Sequence, residues 1–406
     1  MPNRRYRRNS LSGGTPAVRL KVVVVGHSAV LSGAELALAR LLEAIPPADV
    51  DIRVILFEDG PLVDRLRAAG HAVEVAPMRS RARTAGRGSA KSGGAAARWA
   101  IDVLPFVARL HGRVRTIGPD VLVSTTLKSH LVCAALPSRV PRVWHLHDRI
   151  ADDYLPAGLV RVLRGVARQR RTLVLANSRA TARTVPGARV RIVHPGLTAP
   201  QVLAQPALRV TPTTPHVGMI GRIAPTKGQL EFVRAAQIVR RHRPDARFEI
   251  VGSALFGESD YARTIEKEVQ DLGLGPYLTI RGHVADPTVS LDQLSVLVHA
   301  SPTPEPFGQV VVEALARCVP VVATDAGGIP EILTPSAGAS FGRLVPPGDV
   351  AALADAILAT LADPDLPAQA DRGWRHVTTN LSITSTASAT LAAWREAARG
   401  TALRRR

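Results

Sequence analysis

The sequence predicts an α/β chain built from two doubly wound parallel sheets in tandem, with a cleft between the two domains. Short β-branched runs alternate with helical patterns along most of the chain, which is typical of parallel sheets flanked by helices. The 406 residues exceed what one hydrophobic core usually holds, and 46% of them are hydrophobic, which is enough material for two cores. A proline-rich interruption near the middle separates the two series.

Seven strands are predicted in the first half and six in the second. The first series is Leu20–Gly26, Asp51–Phe57, Ala72–Ala76, Asp120–Ser124, Arg142–Leu146, Thr172–Ala176 and Val190–His194. The second series is His216–Gly221, Phe248–Gly252, Leu278–Arg281, Val296–His299, Val319–Ala323 and Gly342–Val345. Helical patterns between the strands make each series a Rossmann-like domain. Ligands bind such sheets outside the carboxyl ends of the strands, so we expect both sheets to face the cleft.

Composition predicts where the segments begin and end. The predicted segments are, in order, a disordered basic tail (1–17), a first Rossmann-like domain (18–199), a linker (200–215), a second Rossmann-like domain (216–383) and a C-terminal helix that packs back on the first domain (384–406).

The positive charge of the chain is confined to its first half. Residues 1–200 hold 32 Lys and Arg against 13 Asp and Glu, a net charge of +19, whereas residues 201–406 hold 20 of each and are neutral. This asymmetry indicates that the first half faces something anionic.

One basic helical pattern suggests what that anionic partner is. Five arginines are interleaved there with four apolar residues: Arg161, Arg164, Arg168, Arg170 and Arg171, with Leu159, Val162, Leu163 and Val166. Such a helix suits an anionic membrane surface, and we expect peripheral contact with the membrane. The alternative is a solvated basic face over an ordinary core-facing side.

Several classes of protein do not fit the sequence. Two cysteines, Cys133 and Cys318, lie far apart, which argues for a reducing compartment and against a disulfide framework. No apolar run is long enough to span a bilayer, so we expect a cytoplasmic protein, peripheral on the inner face of the membrane. Aromatic residues are 4% of the chain and no recognition module occurs, so no nucleic-acid partner is expected.

The strongest motif is the segment 305–313, Glu-Pro-Phe-Gly-Gln-Val-Val-Val-Glu. It follows a predicted strand and opens a helix, so the N–H groups of Phe307 and Gly308 are free for a ligand, and Gly308 lets that ligand approach the backbone. Glu305 precedes the helix and Glu313 lies inside it. The two carboxylates are therefore spread along a ligand. A helix-terminal charge and a solvated helix residue are the alternative interpretation.

A second motif, residues 221–228 (Gly-Arg-Ile-Ala-Pro-Thr-Lys-Gly), joins the first strand of the second domain to its helix. Gly221, with the two cations Arg222 and Lys227, forms a suitable cradle for a diphosphate at this turn. A solvated basic turn is the alternative. The spacing differs from that of a Walker loop.

Three further positions are weaker candidates. Gly328 lies in a glycine-rich turn that lets a ligand approach the backbone, and Gly33 begins the first helix, a position that suits a phosphate. His147 ends a strand of the first domain and points into the cleft. Two Asp-x-Asp patterns, at 49–51 and 363–365, lie at the wrong end of a sheet and in a late turn, so no metal site is predicted.

With these residues assembled, the sequence resembles the retaining glycosyltransferases of family 4, which have the GT-B fold, over nearly its whole length. The resemblance implies that residues 18–199 form the acceptor-side domain and residues 216–383 the nucleotide-sugar-binding domain. It implies that Glu305 contacts hydroxyls of the donor sugar and that Glu313 contacts the ribose of the nucleotide. It also implies that the amides of Phe307 and Gly308 touch the sugar.

The same resemblance assigns the charged groups around the reaction. Arg222 and Lys227 would hold the donor diphosphate, Gly33 and its loop would line the phosphate or acceptor side, and His147 would stand beside the reacting centre. There are two departures from the family pattern. Ser32 stands where a second glycine often precedes Gly33, and residues 194–196, His-Pro-Gly, stand where the family often has Asn-Gly.

The resemblance implies a reaction that needs no metal and no other cofactor. A hexose-type sugar would move from a nucleotide-diphosphate donor to a sugar, glycan or lipid-linked acceptor, with retention of configuration, in envelope polysaccharide or glycolipid biosynthesis. Cations would stabilise the charge on the leaving phosphate. The alternatives are a sugar-nucleotide epimerase of the same fold, a phosphorylase that uses pyridoxal phosphate, a nucleic-acid-binding basic protein and a non-catalytic binder.

Overall fold

A computed structural model describes residues 19–78, 93–255 and 257–402, which form two parallel β-sheets with helices on both faces. The predicted tail, residues 1–17, lies outside the described residues.

The first sheet contains seven parallel strands in the order β3-β2-β1-β4-β5-β6-β7. These strands are β1 (Leu20–Gly26), β2 (Val50–Leu56), β3 (Ala72–Val75), β4 (Val121–Ser124), β5 (Arg142–Leu146), β6 (Thr172–Ala176) and β7 (Val190–Ile192). The helices that connect them are α1 (Gly33–Ala44), α2 (Pro61–Ala68), α3 (Gly93–Ile117), α4 (Leu127–Ala135), α5 (Ala157–Ala167) and α6 (Arg179–Arg183).

The second sheet contains six parallel strands in the order β10-β9-β8-β11-β12-β13. They are β8 (His216–Ile220), β9 (Arg247–Val251), β10 (Leu278–Gly282), β11 (Val296–His299), β12 (Val321–Thr324) and β13 (Arg343–Val345). The helices are α7 (Gln229–His242), α8 (Ser259–Asp271), α9 (Pro287–Asp292), α10 (Gln309–Ala316), α11 (Ile329–Leu333), α12 (Val350–Leu361), α13 (Leu366–Asn380) and α14 (Ile383–Ala402).

In both sheets the order in which strands are added reverses once, and the reversal creates a crevice between two neighbouring strands. The chain runs outward from β1 to β3 and returns to β4 beside β1, and the second sheet repeats this order with β8 and β11. In open α/β sheets, ligands bind at the carboxyl ends of the strands on either side of such a reversal. The two Rossmann-like domains of the sequence prediction are therefore confirmed.

The predicted strands agree with the observed ones to within two residues at each end. The agreement has a physical basis, because strands covered by helices on both faces are continuous apolar runs such as Val22–Val25, each at most 1% exposed. The predicted strand at Val319 begins later, at Val321. Pro320 has no N–H to donate to the ladder of hydrogen bonds, so the strand begins directly after it.

The C-terminal helix α14 packs against the first sheet although it follows the second one in the chain. Trp394 is fully buried in the core of the first domain with Leu391. Its indole Nε1 donates to His145 Nε2 at 3.2 Å, and Arg395 pairs with Asp49 at 2.7 Å. The last helix is therefore part of the first domain's core.

Burial of His145 makes stability depend on pH. Burial, and secondarily the neighbouring His147, lower the pKa of His145 to about 3, so the unfolded chain binds a proton that the folded chain rejects between pH 6.5 and about 3. Stability should fall by roughly 1.4 kcal/mol per pH unit as the pH drops through this range. His145→Gln keeps an acceptor for Trp394. We expect the free energy of unfolding of this variant to fall by about 1.4 kcal/mol less per pH unit than that of the wild type. Urea unfolding at pH 7, 6 and 5 measures the difference, and equal slopes would contradict it.

The basic pattern that suggested a membrane surface begins on helix α5 and continues past its end, because Arg168, Arg170 and Arg171 follow Ala167. Only part of the pattern faces solvent. Leu163 is fully buried in the core instead of facing outward. The Arg164 guanidinium donates to the carbonyls of Thr184 and Ile150 at 2.9 and 3.0 Å, and Arg168 donates to Pro186 at 2.8 Å. These two arginines therefore stabilise the local fold. Four of the five arginines are exposed, namely Arg161, Arg168, Arg170 and Arg171, and Arg164 is half-buried.

Candidate active site

The reversal point of the second sheet brings the two sequence motifs together. Lys227 lies in a single 3₁₀ turn after β8, and Glu305 follows β11. The Lys227 Nζ donates to Glu305 Oε2 at 2.7 Å, with the two side chains 26% and 14% exposed. The ion pair is therefore screened from most solvent but still reachable from the cleft.

Backbone geometry explains why glycine follows Lys227. Gly228 has φ of +84°, and a Cβ there would lie 2.0 Å from the carbonyl oxygen of Ala300. Ser301 Oγ also donates to the Thr226 carbonyl at 2.5 Å. The two loops that carry Lys227 and Glu305 are thus held in direct contact, which only a residue without a side chain at 228 permits.

Glu305 is an ionised carboxylate in a cationic setting. Burial opposes its ionisation, but the charge of Lys227 and the hydrogen bond from His299 outweigh burial, so its pKa lies well below the usual range. His299 Nε2 lies 3.5 Å from Glu305 Oε2. A carboxylate held in this state accepts hydrogen bonds and makes a strong partner for hydroxyl groups.

The backbone after Glu305 presents unpaired amides. The N–H groups of Phe307 and Gly308 donate to no group in the described part of the chain. Gly308 has φ of +102°, and a Cβ there would meet the Ile329 side chain at 2.3 Å. Helix α10 begins at the next residue. The sequence therefore places free N–H groups and a helix amino terminus beside the Glu305 carboxylate, as expected for an anion or sugar site.

Glu313 is buried and bound, not a solvated helix residue. Its Oε1 accepts from Arg40 at 3.1 Å and from Gln201 at 2.6 Å. Burial raises its pKa, and the charge and hydrogen bond of Arg40 oppose that effect. Arg40 belongs to α1 of the first domain, so this carboxylate is held from across the cleft.

The glycine-rich turn at 327–328 supports the loop of Glu305. Gly328 N–H donates to the Glu305 carbonyl at 2.8 Å. A Cβ on Gly327 would lie 2.0 Å from that carbonyl, and a Cβ on Gly328 would lie 2.7 Å from Pro306 O. Glycine is therefore required here because this turn lies against the backbone of the loop that carries Glu305. Contact of Gly328 with a donor stays a prediction.

Gly221 and Arg222 lie directly after β8 at the same edge of the sheet. Gly221 has φ of +157°, with open space where a side chain would stand, and Gln229 donates to the Arg222 carbonyl at 2.9 Å. The Arg222 side chain is half-buried. Both residues therefore border the loop that carries Lys227, and their contact with a diphosphate stays a prediction.

The first domain supplies the other wall of the cleft, where Gly33 and His147 lie. Gly33 begins α1, and no atom lies within 4 Å of the position its Cβ would take. In the amide orientation that satisfies its neighbours, Gln309 donates to the Gly33 carbonyl at 3.2 Å. Gly33 therefore faces the start of α10 across the cleft.

His147 directly follows β5, and its surroundings favour the neutral ring. Burial lowers the pKa of its ring against the opposing charge of Asp148. Its Nε2 is buried and has no hydrogen-bond partner among the described residues. No hydrogen bond or ion pair of these residues joins it to Glu305 or Lys227. A role beside the reacting centre stays a prediction.

Several residues of the site were missed by the sequence analysis. His299 could have been found, because it ends a strand at the same sheet edge as Glu305. Arg40 and Gln201 give no local signal, since their partner Glu313 is 273 and 112 residues away. Among the described residues, no three His, Cys, Asp or Glu side chains are grouped as metal ligands. The aspartates Asp49 and Asp363 of the two Asp-x-Asp patterns form ion pairs with arginines.

Comparison with known proteins connects this geometry to a family. Residues 205–376, which include both motifs, match the family described as glycosyl transferases group 1. This stretch of the chain is therefore similar to the glycosyltransferase domain that the family describes.

Relatives in sequence are glycosyltransferases as well. The lipopolysaccharide core biosynthesis mannosyltransferase LpsB of Rhizobium meliloti is 26% identical, over 72% of this chain and 92% of its own. A D-inositol 3-phosphate glycosyltransferase of Paenarthrobacter aurescens is 39% identical, over 30% of this chain and 29% of its own. A GDP-mannose-dependent monoacylated alpha-(1-6)-phosphatidylinositol monomannoside mannosyltransferase of Corynebacterium glutamicum is 31% identical, over 39% and 40%. The chain thus spans less than half the length of the last two.

Solved structures share the whole fold. Alr3699/HepE of Anabaena, crystallised with UDP-glucose, superposes with a TM-score of 0.76 and 26% identity, over 92% of this chain and all of the other. Sucrose-phosphate synthase from Thermosynechococcus elongatus gives a TM-score of 0.73 at 20% identity, over 93% of this chain and 99% of the other, which speaks for the fold alone. The chain has the GT-B architecture.

Proposed function

We propose that the protein is a retaining, metal-independent glycosyltransferase that moves a hexose from a nucleoside-diphosphate donor to an acceptor used in envelope glycolipid or polysaccharide biosynthesis. The observation that carries the proposal is the Lys227–Glu305 pair at 2.7 Å, set beside the unpaired amides of Phe307 and Gly308. A cation, a hydroxyl-binding carboxylate and free N–H groups suit the diphosphate and the sugar of one donor.

The proposed reaction uses these groups in fixed roles. The bond between the anomeric carbon and the phosphate oxygen breaks, and a bond to the acceptor oxygen forms. Lys227 and Arg222 stabilise the negative charge that develops on the leaving diphosphate. The leaving phosphate oxygen receives the proton of the acceptor hydroxyl, which is consistent with retention. Glu305, held ionised by Lys227 and His299, binds hydroxyls of the sugar and does not act as an acid.

The relatives narrow the donors to be tested first. Their names include GDP-mannose, and one related structure contains UDP-glucose. Purified protein should release nucleoside diphosphate from one of a panel of nucleotide-sugars in the presence of EDTA and a membrane extract as acceptor source. Analysis of the anomeric linkage of the product then tests retention. Absence of release from every donor, or release only after addition of a divalent metal, would contradict the proposal.

We also propose that the acceptor is membrane-linked and that the first domain meets an anionic lipid surface. On helix α5 the exposed cation Arg161 is next in sequence to Val162, which is 53% exposed, and the exposed Arg170 and Arg171 follow the end of the helix. Among the described residues, no helix is long and apolar enough to cross a membrane. The protein should sediment with vesicles that contain phosphatidylglycerol and not with phosphatidylcholine vesicles, and Arg161→Glu should weaken this binding. Equal sedimentation of the protein with both kinds of vesicle would contradict binding to an anionic lipid surface.

A further inference from the structure

The loop that follows Glu305 is held by the opposite domain. Pro306 lies in the second domain, yet its carbonyl accepts two hydroxyl groups of the first domain. Ser178 Oγ donates to it at 2.5 Å and Thr181 Oγ1 at 3.1 Å. Both hydroxyls are buried. A carbonyl that accepts from two buried hydroxyls has both of its lone pairs satisfied, so this contact has a defined geometry.

Two further contacts cross the cleft at the same place. The ring of His194 stacks on Phe307, with the centroids 5.5 Å apart and an interplanar angle of 21°. Glu331 of the second domain accepts the backbone N–H groups of Arg179 and Ala180 at 2.9 and 2.6 Å. These N–H groups begin helix α6, where a carboxylate is favourable. We call Ser178, Thr181, His194 and Glu331 the interdomain clamp.

The clamp fixes the direction of an amide that the proposed reaction needs. In a planar trans peptide, the carbonyl and the following N–H point in opposite directions. With the Pro306 carbonyl bound to Ser178 and Thr181, the Phe307 N–H must point away from them. The Glu305 carbonyl is bound in turn by Gly328 N–H at 2.8 Å. The loop is therefore held from both domains, which leaves its free amides little choice of orientation.

We propose that the interdomain clamp consists of positioning residues that set the Phe307 and Gly308 amides for the sugar only when the two domains meet. This inference rests on the proposed function. His194 is one of the places where the chain departs from the family pattern, and its stacking on Phe307 gives that departure a role. The clamp should act on the sugar and not on the nucleotide, because within the described part of the chain no hydrogen bond or ion pair joins a clamp residue to Lys227 or Glu313.

Thr181→Val tests the clamp, because it removes one hydroxyl and keeps the backbone bond to Ser178. Hydrogen exchange in the peptide covering residues 305–312 should become at least fivefold faster in the free protein, since a lost hydrogen bond corresponds to a change of about that size. With donor, kcat should fall about fivefold to tenfold, while the Kd for UDP or GDP stays within twofold. Thr181→Ser should restore both values, and Thr264→Val, an exposed threonine on α8, is the matched control.

Glu331→Gln gives a second route that leaves Ser178 and Thr181 intact. It should speed exchange in the same peptide, with a melting temperature close to that of the wild type. Unchanged exchange in both Thr181→Val and Glu331→Gln would overturn the clamp, whatever the activity. Faster exchange in a protein that binds and turns over no donor would leave the clamp standing and refute the proposed function instead.

Discussion

Lys227→Ala is expected to lower kcat by about 10²- to 10³-fold, the usual cost of removing one preorganised group that stabilises developing charge. Lys227 is only 26% exposed, so its charge acts in a setting that water screens weakly. The substitution should also raise the Kd for nucleoside diphosphate, because Lys227 would bind the diphosphate both before and after the sugar departs. Steady-state kinetics with the identified donor and calorimetry with UDP or GDP measure both effects.

Lys267→Ala is the matched control for this substitution. Lys267 lies on α8, is 75% exposed and pairs only with Asp271 one turn away among the described residues. Its removal should leave kcat and nucleotide affinity unchanged, since exposed ion pairs contribute little. If Lys267→Ala and Lys227→Ala gave the same activity as wild type, the diphosphate would have to be bound elsewhere.

Glu305→Gln is expected to lower kcat by about 10²-fold while leaving the affinity for nucleoside diphosphate unchanged or higher. The variant keeps the shape of the side chain but loses the charge-assisted hydrogen bonds to sugar hydroxyls, each worth roughly 1.5–3 kcal/mol. Lys227 then has no carboxylate neutralising it, so its attraction for the diphosphate remains or grows. Nucleotide affinity separates the two variants, because it should fall in Lys227→Ala and should not fall in Glu305→Gln.

The control for Glu305→Gln is Glu266→Gln on the exposed side of α8. It should change neither kcat nor affinity. Loss of nucleotide binding in Glu305→Gln, with unchanged folding by circular dichroism, would contradict the roles given to the two residues. It would mean that the carboxylate supports the loop of Lys227 and does not bind the sugar.

The fold was predictable because its causes are local. Each parallel strand is a short apolar run bounded by helical patterns, and the strand order follows from the connections between them. The proximity of Lys227 and Glu305 follows too, because the two residues come after neighbouring strands at one sheet edge. The part of the site that lies at the edge of a single sheet could therefore be predicted from the sequence.

The contacts between the domains were not predictable in the same way. Arg40 reaches Glu313, and Glu331 caps α6, only because two separately folded domains meet at one angle. Nothing in the periodicity of either segment encodes that angle. The same limit explains Arg164, whose place in a basic helical pattern gave no sign that it binds carbonyl groups in neighbouring loops.

Binding of nucleotide-sugar in EDTA to the wild type and to Lys227→Ala tests the donor site most directly. Calorimetry with UDP-glucose and GDP-mannose should show one site per chain for one of them in the wild type, and an affinity reduced more than tenfold in the variant. Equal affinity in both proteins, or binding that appears only with added magnesium, would contradict a metal-independent donor site built on Lys227 and Glu305.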